Sequence, residues 1–331
     1  VRPPRFWDNP PEQPGWPARL LTPLGSLYGE LTARRLATVV AQCVSIPVIC
    51  VGNLNIGGVG KTPTVIWLAQ YLHNAGHVPH VITKGYRGSL VGPVRVKADS
   101  HTDSQVGDES LLISRFCEVW VSTDRFAAAR EAHFAGATVI ILDDGHQDPS
   151  LAKNFSIVVV DGTRGFGNQR CLPAGPLREP ITVGLNRADV IMIVEDPISQ
   201  SLPTEFSHLP TFHAKMSPLE TGMKWNNARV FAFAGIGYPE KFFTTLQNLG
   251  AQIIKAESLN DHQSLTWPLM TRLHSEARAR KAQLVTTEKD YVRLPAEFRS
   301  NVVALPVRLL VAEEERFFAT LFEKLPSLNS R

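Results

Sequence analysis

The chain has 331 residues, of which 44% are hydrophobic and 20% charged, an ordinary globular composition that allows two domains with cores of their own and excludes extensive disorder. The net charge of +3 is too slight to point to nucleic acid, yet it suits anionic lipid or phosphate partners. Cys43, Cys50, Cys117 and Cys171 are scattered without a C-x-x-C pair, which predicts reduced core thiols in a cytosolic compartment.

Residues 1–17, VRPPRFWDNPPEQPGWP, carry six prolines and are not expected to form a helix. They mix Arg2 and Arg5 with Phe6, Trp7 and Trp16, a combination suited to a membrane–water interface. Next, Leu20, Leu21, Leu24, Leu27, Tyr28 and Leu31 fall on one face of a helix whose charges are Arg19, Glu30, Arg34 and Arg35. Such a stripe lies on a lipid surface or on the protein's own body, and periodicity alone does not separate the two. The uncharged run 36–60 is 25 residues long, but it contains Gln42, Ser45, Pro47, Asn53 and Asn55 and ends in glycines. Its second half therefore predicts a strand, not a membrane span. No apolar h-region with a cleavage site precedes it, so secretion is not expected.

That strand, IPVICVG, runs into Asn55, Ile56, Gly57, Gly58, Val59, Gly60, Lys61, Thr62 and Pro63. The pattern is a phosphate-binding loop with Asn55 at the first glycine position. Its glycines let backbone N–H groups turn toward phosphate, Lys61 can reach the β- and γ-phosphates, and the Thr62 hydroxyl can ligate Mg²⁺. Pro63 and the apolar spacing of TVIWLAQYLHNAG predict a helix closed by Gly76, which places a phosphate at a helix N-terminus. The competing reading is a plain glycine turn between strand and helix. GGVGKT also resembles the loop of the partner-switching ATPases of cell division and plasmid partition, but Ile56 stands where that family has its signature Lys. The trio His73, His77 and His80 predicts a solvated helix end in preference to a zinc site.

Beyond the helix, VPHVITKGY and GPVRVKA read as strands, ESLLISRF as a helix, CEVWVST as a strand and DRFAAAREAHFAG as a helix. TVIILDDG, FSIVVVDG and RADVIMIVE continue the strands, so a largely parallel sheet covered on both faces is expected. Residues 196–228 read as an irregular linker. The pattern restarts near residue 229 with strand RVFAFAGIG, helix YPEKFFTTLQNLG, strand AQIIKAES, a helix through WPLMTRLHSEARARKA and strand AQLVTTEKD, a second α/β unit. Gly235-Ile236-Gly237 lacks the third glycine of a dinucleotide site and reads as a strand-end turn.

Asp143 and Asp144 end an apolar strand, the Walker B position of a P-loop protein, or else they cap the following turn. Asp108 and Glu109 of VGDES sit at a loop–helix junction, where helix capping is the simpler role. Asp261 and His262 of LNDHQSL lie in a strand–helix loop; a carboxylate and an imidazole beside a phosphate loop suit activation of a hydroxyl for attack on a γ-phosphate.

Taken in order and spacing, GGVGKTP, GDE, LDDG-x-Q, GNQRCLPAGPLREP, FAGIGYPEKFF, DHQSLT and TTEKDYVRLP resemble the tetraacyldisaccharide 4'-kinase (lipid A kinase) family from RFW near the start to about residue 310. The resemblance implies two α/β/α domains joined by a short β linker: an N-terminal interfacial segment at 1–38, a P-loop domain at 39–195, the linker at 196–228 and a C-terminal unit at 229–331. It implies transfer of the ATP γ-phosphate, with Mg²⁺, to the 4'-hydroxyl of an acylated glucosamine disaccharide 1-phosphate at the cytoplasmic face of a bacterial inner membrane. No nucleic acid or obligatory protein partner is implied. Residues 55–62 match the ATP cradle; Asp108, His262, Lys61 and Asp144 match the catalytic set; Thr62, Asp143 and Glu109 match the metal positions. Arg125, Arg178 and Glu179 match positions lining the cleft. Lys84 of TKGYRG, His146 of LDDGHQ and Asp148 depart from the family pattern, and a Lys does not replace an Arg at a bidentate phosphate contact.

Overall fold

The computed structural model of the chain describes residues 3–195 and 206–329. The Pro-rich start contains a single 3₁₀ turn, Arg5–Asp8, where none was expected. Helix α1 (Trp16–Thr38) follows. The first sheet comprises β1 (Val48–Gly52), β2 (Pro79–Thr83), β3 (Val94–Arg95), β4 (Glu118–Val121), β5 (Val139–Asp143), β6 (Phe155–Asp161), β7 (Val190–Val194), β8 (Thr211–Pro218) and β13 (Val307–Val311), in the order β13-β8-β7-β6-β1-β5-β2-β4-β3. The strands from β8 to β4 are mutually parallel, and β3 and β13 run antiparallel at the two edges. Every residue of β1, β2, β5, β6 and β7 is buried, which is why these strands read as unbroken apolar runs.

Helices cover both faces. On one side α2 (Lys61–Asn74), α4 (Asp108–Ile113) and α10 (Glu314–Lys324) pack on Ile49, Val51, Ile141 and Val159; α3 (Asp103–Val106) leads into α4. On the other, α5 (Arg125–Phe134) packs on Val48 and Ile140, and α6 (Ile181–Leu185) on Val158 and Ile191. The second sheet, ordered β10-β9-β11-β12, is entirely parallel and contains β9 (Arg229–Ala234), β10 (Gln252–Ser258), β11 (Gln283–Thr287) and β12 (Val302–Leu305). It lies between α7 (Pro239–Asn248) and α8 (Trp267–Ala279), with the short α9 (Glu288–Tyr291) after β11.

The linker and the C-terminal boundary differ from expectation. Residues 196–205 lie outside the described residues, but 211–218 form β8, and β13 returns from the second unit to pair with it antiparallel. The two passages between sheets are tied where the Leu219 N–H donates to the Pro306 carbonyl, 2.9 Å. Residues 307–324 therefore complete the first sheet and its helical layer, and are not part of the second.

The apolar stripe of α1 faces outward: Trp16 is 76% exposed, Leu20 71%, and Leu24, Leu27 and Leu31 57% each. Its buried residues are Ala18, Gly25, Gly29 and Thr32, which let the helix press on the backbone of Cys171 and on Pro180. No helix among the described residues is long and apolar enough to cross a membrane. The solvated histidine cluster is corrected in part. His73 is exposed, but His77 is buried and donates to the Leu328 carbonyl at 2.8 Å, and His80 is buried against Trp120. Cys43 is exposed, so it is no core thiol.

Candidate active site

β1 ends at Gly52, and the glycine loop carries the chain over the sheet edge to the N-terminus of α2. Gly57 (φ +117°) and Gly60 (φ +96°) adopt backbone that favours glycine, and a Cβ on Gly60 would press on Val194 at 3.1 Å. Asn55 replaces the missing first glycine for a visible reason: its side-chain amide donates to the Gly165 carbonyl at 3.0 Å. The back wall of the loop is LPAGPLREP, since the Ile56 N–H donates to the Pro176 carbonyl and the Arg178 N–H to the Leu54 carbonyl, both at 2.8 Å. Lys61 Nζ donates to Asn53 Oδ1 at 3.1 Å and lies 3.8 Å from Asp144. Thr62, half-buried, is the second residue of α2. No side chain caps this end of the helix, and the first N–H groups of a helix, which lack partners within it, suit an anion.

Beside the loop, β5 delivers its two carboxylates. Asp143 is buried, and its Oδ1 has no hydrogen-bond partner. Burial first, then the charges of Glu109 and Asp144, push its carboxyl up to about 7. Asp144 is held below the ordinary carboxylate range: burial raises it, but Lys61 and Arg178 outweigh that. Arg178 Nη1 contacts both Asp144 oxygens, at 2.8 and 2.9 Å.

Two residues expected to line the cleft are struts inside the protein. Arg125 is 1% exposed and donates to the carbonyls of Asp143 (3.0 Å) and Asp144 (2.8 Å). Glu179 is fully buried, with both oxygens bonded to Arg187 at 2.8 Å and one to Gln147. A charge leaves water only when paired in this way. The departures from the family pattern also find partners. Lys84 lies 3.3 Å from Asp148, which shares Arg125. His146 is buried with Nε2 donating to the Gly184 carbonyl at 2.9 Å, and burial pulls it down to about 3, so the ring is neutral.

Facing this edge, the second unit contributes His262, held in a tight turn with φ +56°. Asp108 is not a helix cap: Gly107 occupies that position. The Asp108 side chain, 5% exposed, reaches across the cleft to His262 Nδ1, 2.7 Å from its Oδ2, while its Oδ1 accepts the Glu109 N–H at 2.9 Å. Burial raises the Asp108 carboxyl, but His262, Lys289 and Arg293 more than offset it, and it lies below its usual range. Glu109, expected at the metal, bonds Lys289 at 3.0 Å. The motif TTEKDYVRLP contains Lys289 and Arg293 but by itself gives neither a role; Gln147 is the last residue of LDDG-x-Q, again with no role apparent from the sequence, and no local pattern marks Asn53.

A glycine loop on a helix N-terminus, a paired acidic strand end beside it and a parallel sheet behind both define a P-loop α/β protein with a site for nucleotide phosphates. A model of the tetraacyldisaccharide-1-P 4'-kinase family, LpxK, matches residues 17–326, and the chain belongs to that family. It is similar to a tetraacyldisaccharide 4'-kinase of Dinoroseobacter shibae, 51% identical over 337 residues with all of both chains covered. A second, from a Jannaschia species, is 51% identical over 315 residues, 94% of this chain and 95% of the other. The fold matches a crystal structure of LpxK from Aquifex aeolicus in complex with ATP, with a TM-score of 0.77, 25% identity, and 93% of this chain and 99% of the other covered.

Proposed function

We propose that the chain transfers the γ-phosphate of ATP to the 4'-hydroxyl of a tetraacylated glucosamine disaccharide 1-phosphate. The observation that carries this reading is the contact of Asp108 with His262 across the cleft from the phosphate loop. It supplies an acceptor site that a nucleotide switch does not need, and family membership leaves the partner-switching ATPase reading without support. Residues 55–62 cradle the ATP phosphates, and Lys61 neutralises charge on the transferred group. Asp108, oriented by the Nδ1–H of His262, accepts the proton of the attacking hydroxyl. Phosphoryl transfer asks mainly for positioning and charge neutralisation, so a weak base held in place suffices.

Family membership implies Mg²⁺, and the residues present fit it. An unpartnered Asp143 oxygen with a raised carboxyl pKa marks a place short of positive charge. Among the described residues no three His, Cys, Asp or Glu gather as a protein-only metal site, which suits an ion that takes one or two carboxylates, a hydroxyl, phosphate oxygens and water. Thr62 and Asp143 would hold it, with Glu109 nearby; when bound it supplies charge stabilisation on the phosphates. The outward apolar face of α1 supports docking at the cytoplasmic face of an inner membrane as an interfacial helix. We take residues 1–38 as the membrane segment, with the first unit closing only when β13 and α10 return to it. The test is incubation of the purified protein with γ-labelled ATP and the acylated disaccharide phosphate in mixed micelles. Label moving to the lipid supports the reading, and release of free phosphate alone refutes it.

A further inference from the structure

The motif TEKDYVRLP is the one strongly specific stretch that neither the phosphate loop nor the dyad explains, and its side chains lie against the dyad. The Thr287 hydroxyl accepts the Asp290 N–H at 3.1 Å and capsules the start of α9. Asp290 is fully buried, accepts the Gly235 N–H at 3.0 Å and pairs with Arg293. Arg293 in turn donates to the Gln263 carbonyl at 3.0 Å, and its Nε lies 3.7 Å from Asp108 Oδ2. Arg293 thus holds the turn that carries His262 directly, at Gln263, and Asp290 holds it through Gly235, whose carbonyl accepts the His262 N–H at 3.1 Å. Lys289 projects on the cleft side. Its Nζ is 3.0 Å from Glu109 Oε1, on the first unit, and 3.4 Å from His262 Nε2, on the second.

That placement decides the histidine's tautomer. An ionised carboxylate only accepts hydrogen bonds, and an ammonium only donates them. With Asp108 at Nδ1 and Lys289 at Nε2, a neutral His262 satisfies both neighbours only as the Nδ1–H form, its lone pair turned to Lys289. Without Lys289 the Nε2–H form, which turns a lone pair toward the Asp108 carboxylate and breaks the contact that orients the base, is opposed from one side of the ring instead of two.

We propose that Lys289 is a positioning residue of the phosphoryl transfer: its ammonium clamps Glu109 of the first unit to His262 of the second and fixes the tautomer that orients Asp108. The clamp rests on the kinase reading for its consequence, but not for its geometry. Replacement of Lys289 therefore lowers the rate of the chemical step and leaves the phosphate loop as it is.

The test uses the full chain and three variants. Lys289→Met keeps the stem and removes the donor, Lys289→Arg keeps a donor, and Lys289→Ala opens room for added ethylammonium. Labelled-phosphate transfer gives kcat and the KM for ATP. A ¹⁵N-histidine spectrum at one fixed pH, with His262 assigned by its loss in His262→Gln, gives the tautomer. In Lys289→Met we expect kcat to fall about 10- to 100-fold, the scale of a misplaced catalytic group, with KM for ATP nearly unchanged and the His262 signal shifted from pure Nδ1–H to a mixture. Lys289→Arg recovers most of the rate, and ethylammonium restores part of it to Lys289→Ala. A Lys289→Met protein with wild-type kcat and an unmoved His262 signal overturns the clamp. So does a loss of rate that neither Arg nor ethylammonium repairs while the tautomer stays fixed, because that is the mark of a merely structural lysine. A wild-type protein that transfers no phosphate sinks the kinase reading instead, and the ¹⁵N spectra still judge the clamp.

Discussion

Asp108 and His262 are 154 positions apart in sequence and 2.7 Å apart in space, and they should act in catalysis as one unit. Removing either by Asp108→Ala or His262→Ala removes general-base assistance, typically about 10²- to 10⁴-fold in kcat, or about 2.7–5.4 kcal/mol of transition-state stabilisation at about 1.36 kcal/mol per tenfold. His262→Ala should be the milder loss, since Arg293 and Lys289 still favour the ionised form of Asp108. If the two acted independently, the double variant would lose the product of the singles, about 10⁴- to 10⁸-fold. Acting as a unit, the double variant should be no slower than about the worse single. Single-turnover transfer from γ-labelled ATP measures the chemical step, and titration with a fluorescent ATP analogue measures binding, which should stay near wild type. Multiplicative losses refute the unit, and a matching loss of ATP affinity refutes the assignment of either residue to the acceptor side.

Arg125→Met strips the carbonyls of Asp143 and Asp144 and the Asp148 carboxylate of their buried cation, and should cost about 3–5 kcal/mol in urea unfolding; a change below about 1 kcal/mol, the worth of an exposed ion pair, contradicts the strut. Asp143 predicts a pH effect in metal-free protein. Its folded pKa of about 7 exceeds the unfolded value near 4, so its contribution to stability is full below about pH 4 and is lost as pH rises through about 7. Asp143→Asn should flatten that slope and raise Tm at pH 8, and an unchanged slope counts against the raised pKa. Changing Leu20, Leu24, Leu27 and Leu31 together to Gln should abolish flotation with anionic vesicles, each leucine contributing on the order of 1–2 kcal/mol when buried in lipid. Circular dichroism should be unaltered, and undiminished flotation would argue that α1 does not dock.

The first sheet was legible because parallel strands buried on both faces are continuous apolar words bounded by turns. β8 and β13 were not. TFHAKMSP alternates buried and exposed positions near the sheet edge, and its partner β13 lies on the far side of the entire second unit, so no local pattern announces their pairing. The phosphate loop and the acidic strand end are local features and could be read directly, whereas the Asp108–His262 contact was accessible only through resemblance. Arg125 and Glu179 are expected in the cleft from the family resemblance alone, and only tertiary structure supplies the carbonyls and the Arg187 guanidinium that let them be buried. The departures Lys84 and Asp148 read separately as defects, but at 3.3 Å they form a pair.

Phosphorylation of the 4'-hydroxyl of an acylated disaccharide 1-phosphate from ATP is the activity proposed for the protein. Its most direct test is the product of that reaction, isolated and examined by ¹H–³¹P correlation. The expected product carries a second phosphate monoester coupled to the proton at position 4', absent when Asp108→Ala replaces the wild type. A phosphate attached elsewhere on the lipid, or ATP consumed with the lipid unchanged, would contradict it.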